Sequence, residues 1–388
     1  MSGPARIYLD HAATTPVRRD VQAAMLAHAG EAAYNPSSLH LEGRRARALL
    51  DDARDRVAAL LGAHRSEILF VAGGSEADNL ALFGVAHALR ERGRHLVSSR
   101  IEHHAVLHAL DALREDGFEV TLLEVDRNGY VDVDAFAAAL RPDTILASIM
   151  LANNEIGTLQ PVGRLARLAH ERGVLFHTDA VQAPPYIAID VDDLGADLIS
   201  LAAHKFYGPK GVGVLYVRRG VALRAILHGG SQEFGKRAGT ENVLGAVGLA
   251  TALELVILER SEVAPRVEAL RDRLEAGVLT AVADARVNAR EAVRVPHIAS
   301  FSFAEVDSEP LVVRLDLEGI AVSAGSACAS GVLEPSHVIA ALGLDPGWQR
   351  GVLRCSLGRD TTAEEIDASV EALARVVGDL RGKNSTPA

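Results

Sequence analysis

The chain has 388 residues, of which 48% are hydrophobic and 23% charged, and its formal net charge is −11. This composition is typical of a globular protein large enough for two domains and excludes a disordered or fibrous chain. The acidic balance argues against a general nucleic-acid or anionic-membrane binder, because both partners require a basic surface. No apolar run reaches the roughly 18 residues of a membrane span, and the first residues lack the apolar region of a secretory signal. We therefore expect a cytoplasmic protein.

Short β-rich runs alternate with helical patterns through the first 220 residues. The strand-like runs are ILFVA (68–72), HLVSSR (95–100), EVTLLEV (119–125), TILASIML (144–151), VLFHTDA (174–180), LISLAAH (198–204) and VGVLYV (212–217). The helical segments have apolar residues at helical spacing and cover 43–62, 75–92 and 161–172. This alternation predicts an α/β fold with a mostly parallel sheet covered by helices on both faces.

The pattern changes after about residue 242. Strand-like SFSFAEV (300–306) and VLRCSLG (352–358) follow a long helical stretch, and a capping box formed by Thr361 and Glu364 predicts a closing helix. These features indicate a second, smaller α+β domain. We predict a large domain over 15–255 and a small domain made of 1–14 and 256–388.

Two segments near the first predicted strands carry polar residues. In AGGSEADN (72–79), two glycines and Ser75 join a strand to a helix, which suits a phosphate cradle; a simple N-capped helix explains Ser75 but not both glycines as naturally. In IEHHAVLH (101–108), His104 and His108 are spaced for a metal pair, but the segment lacks the glutamate of HExxH and any nearby cysteine. A histidine at this strand end is better suited to stacking on a planar cofactor.

Two later strands also end in residues of the types that take part in catalysis. Asp179, in VLFHTDAVQA (174–183), can pair with a pyridinium nitrogen, although taken alone it is better explained as a helix N-cap. Lys205, in LAAHKFYGPKGVG (201–213), lies where ligands of open α/β sheets bind. Partial burial would lower its pKa and make it a Schiff-base former, whereas the alternative is a surface lysine in a turn.

The chain has two cysteines, too few for a disulfide framework or a four-cysteine zinc site. Cys328 lies in SAGSACASG (323–331), whose small residues favour a mobile loop carrying a free thiol. Cys355 lies in an apolar strand pattern and is predicted to be a buried small hydrophobic residue. A disulfide between the two is the alternative, which a cytoplasmic setting disfavours.

These segments together resemble pyridoxal-phosphate enzymes of the aspartate-aminotransferase fold (fold type I), and the fuller set closely resembles cysteine desulfurases of the NifS/IscS type. The matching segments are YLDHAATTP (8–16), NPSSLH (35–40), EHHAV (102–106), NNEIGTLQP (153–161), HTDAVQA (177–183), HKFYGPKG (204–211), RAGTEN (237–242), SAGSACASG (323–331), LEPSHV (333–338) and RCSLGRDTT (354–362). They extend over almost the whole chain. LEPSHV resembles the form of these enzymes with a longer, mobile cysteine loop, here about 323–335.

The resemblance implies pyridoxal 5'-phosphate as cofactor and a role for each matching residue. Lys205 would hold the cofactor and, once freed, act as general base, while His103 would stack on the ring. The other cofactor contacts would be Asp179 to the ring nitrogen, Gln182 to the ring hydroxyl, Asn154 beside cofactor and substrate, and Gly74, Ser75 and His204 to the phosphate.

The resemblance also implies a substrate and partners. Arg354 would bind the α-carboxylate of L-cysteine, and Cys328 would take its sulfur as a persulfide, leaving L-alanine. Thr240 would reach the phosphate of the neighbouring subunit, which implies a homodimer. The acceptor of the sulfur would be an iron–sulfur scaffold, a tRNA-thiolation protein or a cofactor pathway.

One departure and three alternatives accompany this interpretation. The family usually has a phosphate-binding serine where this chain has Ala202, so either cofactor affinity is lower or Ser200 or a water molecule compensates. The alternatives are a selenocysteine lyase or other lyase of the same fold, a non-catalytic sulfur-delivery scaffold, and a metal-dependent hydrolase built on the histidines. The presence of Lys205, Asp179 and Cys328 argues against a scaffold.

Overall fold

A computed structural model of the protein describes residues 6–325 and 336–384, with side chains to residue 382. Within these ranges the strands are β1 (Ile7–Tyr8), β2 (Ile68–Val71), β3 (His95–Ser99), β4 (Glu119–Leu123), β5 (Thr144–Ser148), β6 (Leu175–Asp179), β7 (Leu198–Ala202), β8 (Gly213–Val217), β9 (Ala285–Val287), β10 (Ile298–Phe303), β11 (Ile320–Ala321) and β12 (Val352–Ser356). The α-helices are α1 (Arg19–Ala32), α2 (Leu41–Leu61), α3 (Gly74–Ala88), α4 (His104–Glu115), α5 (Val133–Ala139), α6 (Val162–Glu171), α7 (Val191–Leu194), α8 (Val243–Ala281), α9 (Ser308–Leu317), α10 (His337–Ala341), α11 (Pro346–Gln349) and α12 (Ala363–Asn384).

Seven strands form the central sheet in the order β2-β8-β7-β6-β5-β3-β4. Within this sheet β8 is antiparallel to both of its neighbours, and the pairs from β7 to β4 are parallel. Successive residues of β2 illustrate why helices cover both faces: Ile68 packs in the core beneath α2 and α8, whereas Leu69 packs in the core beneath α3 and α4. The predicted α/β fold with a mostly parallel sheet is confirmed.

A smaller antiparallel sheet, in the order β12-β10-β9, packs against α9, α12 and the second half of α8. The long helix α8 joins both cores, because Val256 packs beneath the central sheet and Val267 beneath the small one. The predicted boundary between residues 255 and 256 therefore falls inside one helix, and the domain limits stay a prediction.

The N-terminal segment returns to the small sheet. β1 pairs in parallel with β11, and Asp10 then forms a bridge with Ser356 at the end of β12. This pairing brings the residues that follow, Ala12 and Ala13, to the carboxyl ends of the central strands. None of the helices in the described ranges is long and apolar enough to cross a membrane.

The closing helix begins one residue later than its predicted cap implies. The capping box is formed by Thr362 and Glu365, each accepting from the other's backbone amide at 3.2 and 2.9 Å. The hydroxyl of Thr361 instead accepts from the backbone amide of Gly358. The prediction that Thr361 and Glu364 form the capping box was wrong. Thr361 and Thr362 are each followed by a glutamate three residues later, so the sequence offers two overlapping capping boxes, and the structure uses the second.

Candidate active site

A cavity of about 370 Å³ lies where the carboxyl ends of the central strands meet the N-terminal segment and β12. Its walls include nine of the residues predicted from the sequence: Gly74, Ser75, His103, Asn154, Asp179, Gln182, His204, Lys205 and Arg354. Thr240 does not line this cavity, and Cys328 lies outside the described residues. Residues distant in sequence thus meet because parallel strands end at the same edge of the sheet.

The amine of Lys205 is held at the end of β7 by the N-terminal segment. Its Nζ donates to the carbonyl oxygens of Ala12, at 2.6 Å, and Ala13, at 2.9 Å. Burial, with a further contribution from the positive charge of Arg354, lowers the pKa of Lys205 to about 8. A substantial fraction of the amine is therefore neutral near physiological pH, unlike that of a surface lysine.

Asp179, the last residue of β6, is buried, and its Oδ1 accepts a hydrogen bond from the backbone amide of Val181 at 2.9 Å. The carboxylate shapes a turn and does not cap a helix, since the next helix begins at Val191. Burial raises the pKa of Asp179 to about 6. A cationic ring nitrogen beside it would restore the ionised form.

A second buried carboxyl, that of Asp78 on α3, also lines the cavity and was missed by the sequence analysis. Its Oδ1 has no hydrogen-bond partner and lies 3.7 Å from Nε2 of His177. Burial and the neighbouring charge of Asp179 raise the pKa of Asp78 well above its usual value, which favours the neutral form of this carboxyl. No simple signal reveals it, because Asp78 lies inside a helical pattern.

His103 caps α4, and its Nδ1 accepts a hydrogen bond from the backbone amide of Ala105 at 3.1 Å. This bond leaves the proton of the neutral ring on Nε2. The ring faces the open cavity on one side and is surrounded by protein atoms elsewhere. Burial and, to a smaller extent, the positive charge of Lys205 lower the pKa of His103 to about 4. The side chain is a neutral, planar group at physiological pH, which suits stacking on an aromatic ring.

His104 and His108, the two histidines that follow His103, do not form the metal pair that their spacing allows. The rings of His104 and His108 stack with centroids 5.0 Å apart and planes 8° from parallel. Among the residues that the structure describes, no group of three or more His, Cys, Asp or Glu side chains could hold a metal ion.

The N-terminus of α3 forms an open cradle beside Lys205. A Cβ on Gly74 would lie 3.0 Å from the side chain of Val181 and 3.6 Å from Cβ of Ala202, so a side chain there would crowd the cavity. Ser75 is exposed at the first turn, where backbone amides favour an anion, and Nδ1 of His204 lies 3.2 Å from the hydroxyl of Thr14.

Ser200 does not replace the missing serine at position 202. Its hydroxyl lies 3.0 Å from Nε2 of His177 and it is absent from the cavity wall, whereas Ala202 is part of that wall. The expectation that Ser200 compensates is therefore wrong, because its hydroxyl is already engaged. Lower cofactor affinity and a compensating water molecule are the two alternatives that remain.

Arg354, in the middle of β12, is buried, and its guanidinium is held on two sides. Nη1 donates to the backbone oxygen of Asn154 and Nη2 to Oδ1 of Asp10, both at 2.8 Å. The backbone amide of Arg354 donates to the carbonyl of Ser323 at 2.7 Å. Ser323, the first residue of the segment predicted to carry the reactive cysteine, is therefore paired with the backbone of the residue that carries this guanidinium.

The remaining predicted positions lie away from the cavity. Thr240 is exposed and lines a separate cleft, in a segment anchored by a 2.8 Å ion pair between Arg237 and Glu76 of the cradle helix. Cys355 is a free thiol buried in the core of the small sheet, and burial raises its pKa to about 12. The prediction that Cys355 is a buried small hydrophobic residue in a strand is confirmed.

The arrangement fits pyridoxal phosphate. A partly neutral lysine, a buried carboxylate, a planar neutral imidazole and an open helix N-terminus line one cavity, and each matches one part of the cofactor. The guanidinium supplies a bidentate site for a carboxylate.

Comparisons with known proteins agree with this reading. The Aminotransferase class-V family model matches residues 7–368. The chain is 48% identical to the cysteine desulfurase IscS of Dictyoglomus turgidum, over 97% of this chain and 95% of the relative. It is 46% identical to the cysteine desulfurase IscS of Methanosarcina thermophila, over 97% and 93%. A solved NifS-like protein, 37% identical, superposes with a TM-score of 0.90 over 96% of this chain and all of the other. The chain therefore belongs to the class-V aminotransferase family of pyridoxal-phosphate enzymes, as a relative of the IscS and NifS-like proteins.

Proposed function

We propose that this enzyme, a cysteine desulfurase, converts L-cysteine to L-alanine with the residues of the cavity and passes the sulfur to Cys328. The observation that carries the proposal is that the amine of Lys205, the carboxylate of Asp179 and the guanidinium of Arg354 line one cavity. The relatives named cysteine desulfurases favour this activity over a selenocysteine lyase or a non-catalytic scaffold.

The cofactor would be held by the residues of the strand ends. Pyridoxal phosphate bound there supplies an electron sink for bond breaking at the substrate's carbon atoms. Lys205 would bind it covalently, and Asp179 would hold the charge of the ring nitrogen. The further contacts would be His103 against the ring, Gln182 to the ring hydroxyl, and Gly74, Ser75 and His204 to the phosphate.

Lys205 would also move the proton of the substrate. With a pKa of about 8, its amine accepts a proton near physiological pH without holding it too tightly to release it. The carbonyl oxygens of Ala12 and Ala13 orient the amine when it is free. His103 stays neutral, because its pKa is about 4, and therefore adds no positive charge beside the lysine.

Arg354 would bind the α-carboxylate of the substrate. Two of the five guanidinium N–H groups are used by Asp10 and Asn154, which leaves a second N–H group on each of Nη1 and Nη2. Carboxylates are the ligands that such a fork prefers. The side chain of Asn154, in the same wall, would contact both cofactor and substrate.

The sulfur would be transferred to Cys328, whose role rests on the resemblance of its segment. The thiolate forms a bond to the substrate sulfur as the carbon–sulfur bond of the substrate breaks, and the released carbon takes a proton. The sum is L-cysteine plus the thiol of Cys328 giving L-alanine plus a persulfide on Cys328. The persulfide then passes its outer sulfur to an acceptor protein, of which an iron–sulfur scaffold is the one suggested by the IscS name of the relatives.

The active form would be a homodimer. Thr240 is exposed outside its own cavity, which suits a contact with the phosphate at the partner's site. Leu39 and Phe234 are 89% and 51% exposed, and a subunit interface would cover such apolar side chains. We place the dimer in the cytoplasm and retain the domain limits 15–255 and, for the small domain, 1–14 with 256–388.

The test is alanine formation from L-cysteine by purified holoenzyme. Wild type should form alanine and, with a thiol reductant, sulfide. The Cys328→Ala variant should bind the cofactor normally but release no sulfide, whereas Cys355→Ala should keep the activity. Full sulfide release by Cys328→Ala would overturn the proposal, and preference for selenocysteine independent of Cys328 would favour the lyase.

A further inference from the structure

The guanidinium of Arg354 depends on an acidic residue outside the roles assigned above. Its Nη2 lies 2.8 Å from Oδ1 of Asp10, and the side chains of Arg354 and Asp10 are only 4% and 22% exposed. An ion pair so shielded from water is stronger and better oriented than a surface pair. The contact joins residues 344 positions apart, so the fold must bring them together.

The backbone of Asp10 is fixed to the strand that carries Arg354. Asp10 forms a bridge with Ser356, and the hydroxyl of Ser356 accepts from the amide of Ala12 at 2.9 Å. The hydroxyl of Tyr8 donates to the backbone oxygen of Asp10 at 3.1 Å. The carboxylate and the guanidinium are therefore parts of one scaffold.

Two acceptors define the orientation of the guanidinium. Asp10 holds Nη2, and the backbone oxygen of Asn154 holds Nη1, so the planar group cannot rotate without breaking a hydrogen bond. The second N–H groups of Nη1 and Nη2 are then presented in a constant direction. Without Asp10, the Asn154 contact would be the one remaining hydrogen bond to the group from the residues that the structure describes.

We propose that Asp10 is a positioning residue for Arg354 and thereby sets the enzyme's affinity for the α-carboxylate of its amino-acid substrate. The inference rests on the proposed role of Arg354. It predicts that Asp10 contributes to the binding of amines that carry a carboxylate and not to the binding of amines that lack one.

The test compares L-alanine with ethylamine, which is alanine without its carboxylate. Dissociation constants of both are measured from the cofactor absorbance of holoenzyme in wild type, Asp10→Ala and Asp10→Asn. Asp10→Ala should weaken L-alanine binding and raise the KM for L-cysteine by about tenfold, with ethylamine binding and cofactor content changed less than about twofold. Asp10→Asn keeps an oxygen acceptor, so it should restore most of the lost affinity.

Two controls keep the outcomes separate. Asp316→Ala removes an exposed ion pair with Arg6 and should change neither ligand's affinity. Arg354→Gln should weaken L-alanine binding relative to ethylamine. If Arg354→Gln does so and Asp10→Ala does not, or if Asp10→Ala weakens both ligands equally, the inference about Asp10 is wrong. If Arg354→Gln leaves the ratio unchanged, the proposed role of Arg354 itself fails.

Discussion

The two walls of the cavity are built in different ways. The cofactor wall, formed by His103, Asp179 and Lys205, lies on the ends of the central strands, where burial shifts the pKa of each group. The carboxylate wall is formed by Arg354, whose guanidinium is held by an ion pair with Asp10 that joins the two ends of the chain. The cofactor wall sets the protonation of its side chains, and the carboxylate wall sets the orientation of the guanidinium. Substitutions in the first should therefore change cofactor chemistry, and substitutions in the second should change substrate binding.

The largest effect is expected at the amine of the cofactor wall. Lys205→Ala should reduce alanine formation from L-cysteine by about a thousandfold or more, because it removes both the cofactor attachment and the base. Lys205→Arg, measured in parallel, keeps the positive charge and should be equally inactive. An active arginine variant would mean that the charge, and not a neutral amine, is what the site needs.

The two buried carboxyls of the cofactor wall should differ sharply. Asp179→Asn should lower kcat/KM by about a hundredfold, because it removes the anion beside the ring nitrogen. Asp78→Asn should change it less than about threefold, since the raised pKa of Asp78 favours its neutral form and an amide reproduces that form. Kinetics and the cofactor absorbance of both variants would check this order, and equal losses would refute the assignment of charge to Asp179 alone.

The carboxylate wall should control substrate binding without affecting the cofactor. Arg354→Gln should raise the KM for L-cysteine by about thirtyfold, which is the range for losing a charge-assisted contact. Its cofactor content should equal that of wild type. Loss of cofactor together with activity would show that the two walls are not separable.

Position 202, where this chain has alanine instead of the family's serine, offers a way to increase the affinity for the cofactor. Ala202→Ser adds a hydroxyl to the cofactor wall next to Gly74, so the dissociation constant of pyridoxal phosphate should fall about fivefold. Ser75→Ala, at the same cradle, should raise it. Titration of apoenzyme with the cofactor measures both, and weaker binding by Ala202→Ser would mean that a water molecule already fills this place.

The last prediction concerns stability, and not activity, beneath the cofactor wall. Glu102 is buried, accepts from the hydroxyl of Ser99 at 2.6 Å, and has a pKa raised from 4.5 to about 8 by burial. The folded protein thus binds this proton more tightly than the unfolded chain does, so the contribution to stability is present below pH 4.5 and lost as the pH rises towards 8.

Glu102→Gln should remove this dependence. Between about pH 5 and about pH 8, the free energy of unfolding in urea should fall for wild type by about 3 kcal/mol more than for the variant. Parallel curves for the two proteins would mean that Glu102 is ionised without cost.

The sequence predicted the cofactor wall better than the carboxylate wall. An apolar strand followed at once by Asp179 or Lys205 is a local pattern, and parallel strands bring such ends together. Arg354 was identified through resemblance, but its pairing with Asp10 was not, because nothing local links positions so distant. The engagement of Ser200 by His177 was missed for the same reason, since it depends on strand register.

The role of Lys205 is tested most directly by locating the site of cofactor attachment. The sequence has four lysines, Lys205, Lys210, Lys236 and Lys383, so borohydride reduction of the resting holoenzyme followed by peptide mass analysis can distinguish them all. We expect the cofactor to be fixed on Lys205 and the reduced enzyme to form no alanine from L-cysteine. Attachment to another lysine, or continued alanine formation after complete reduction at Lys205, would contradict it.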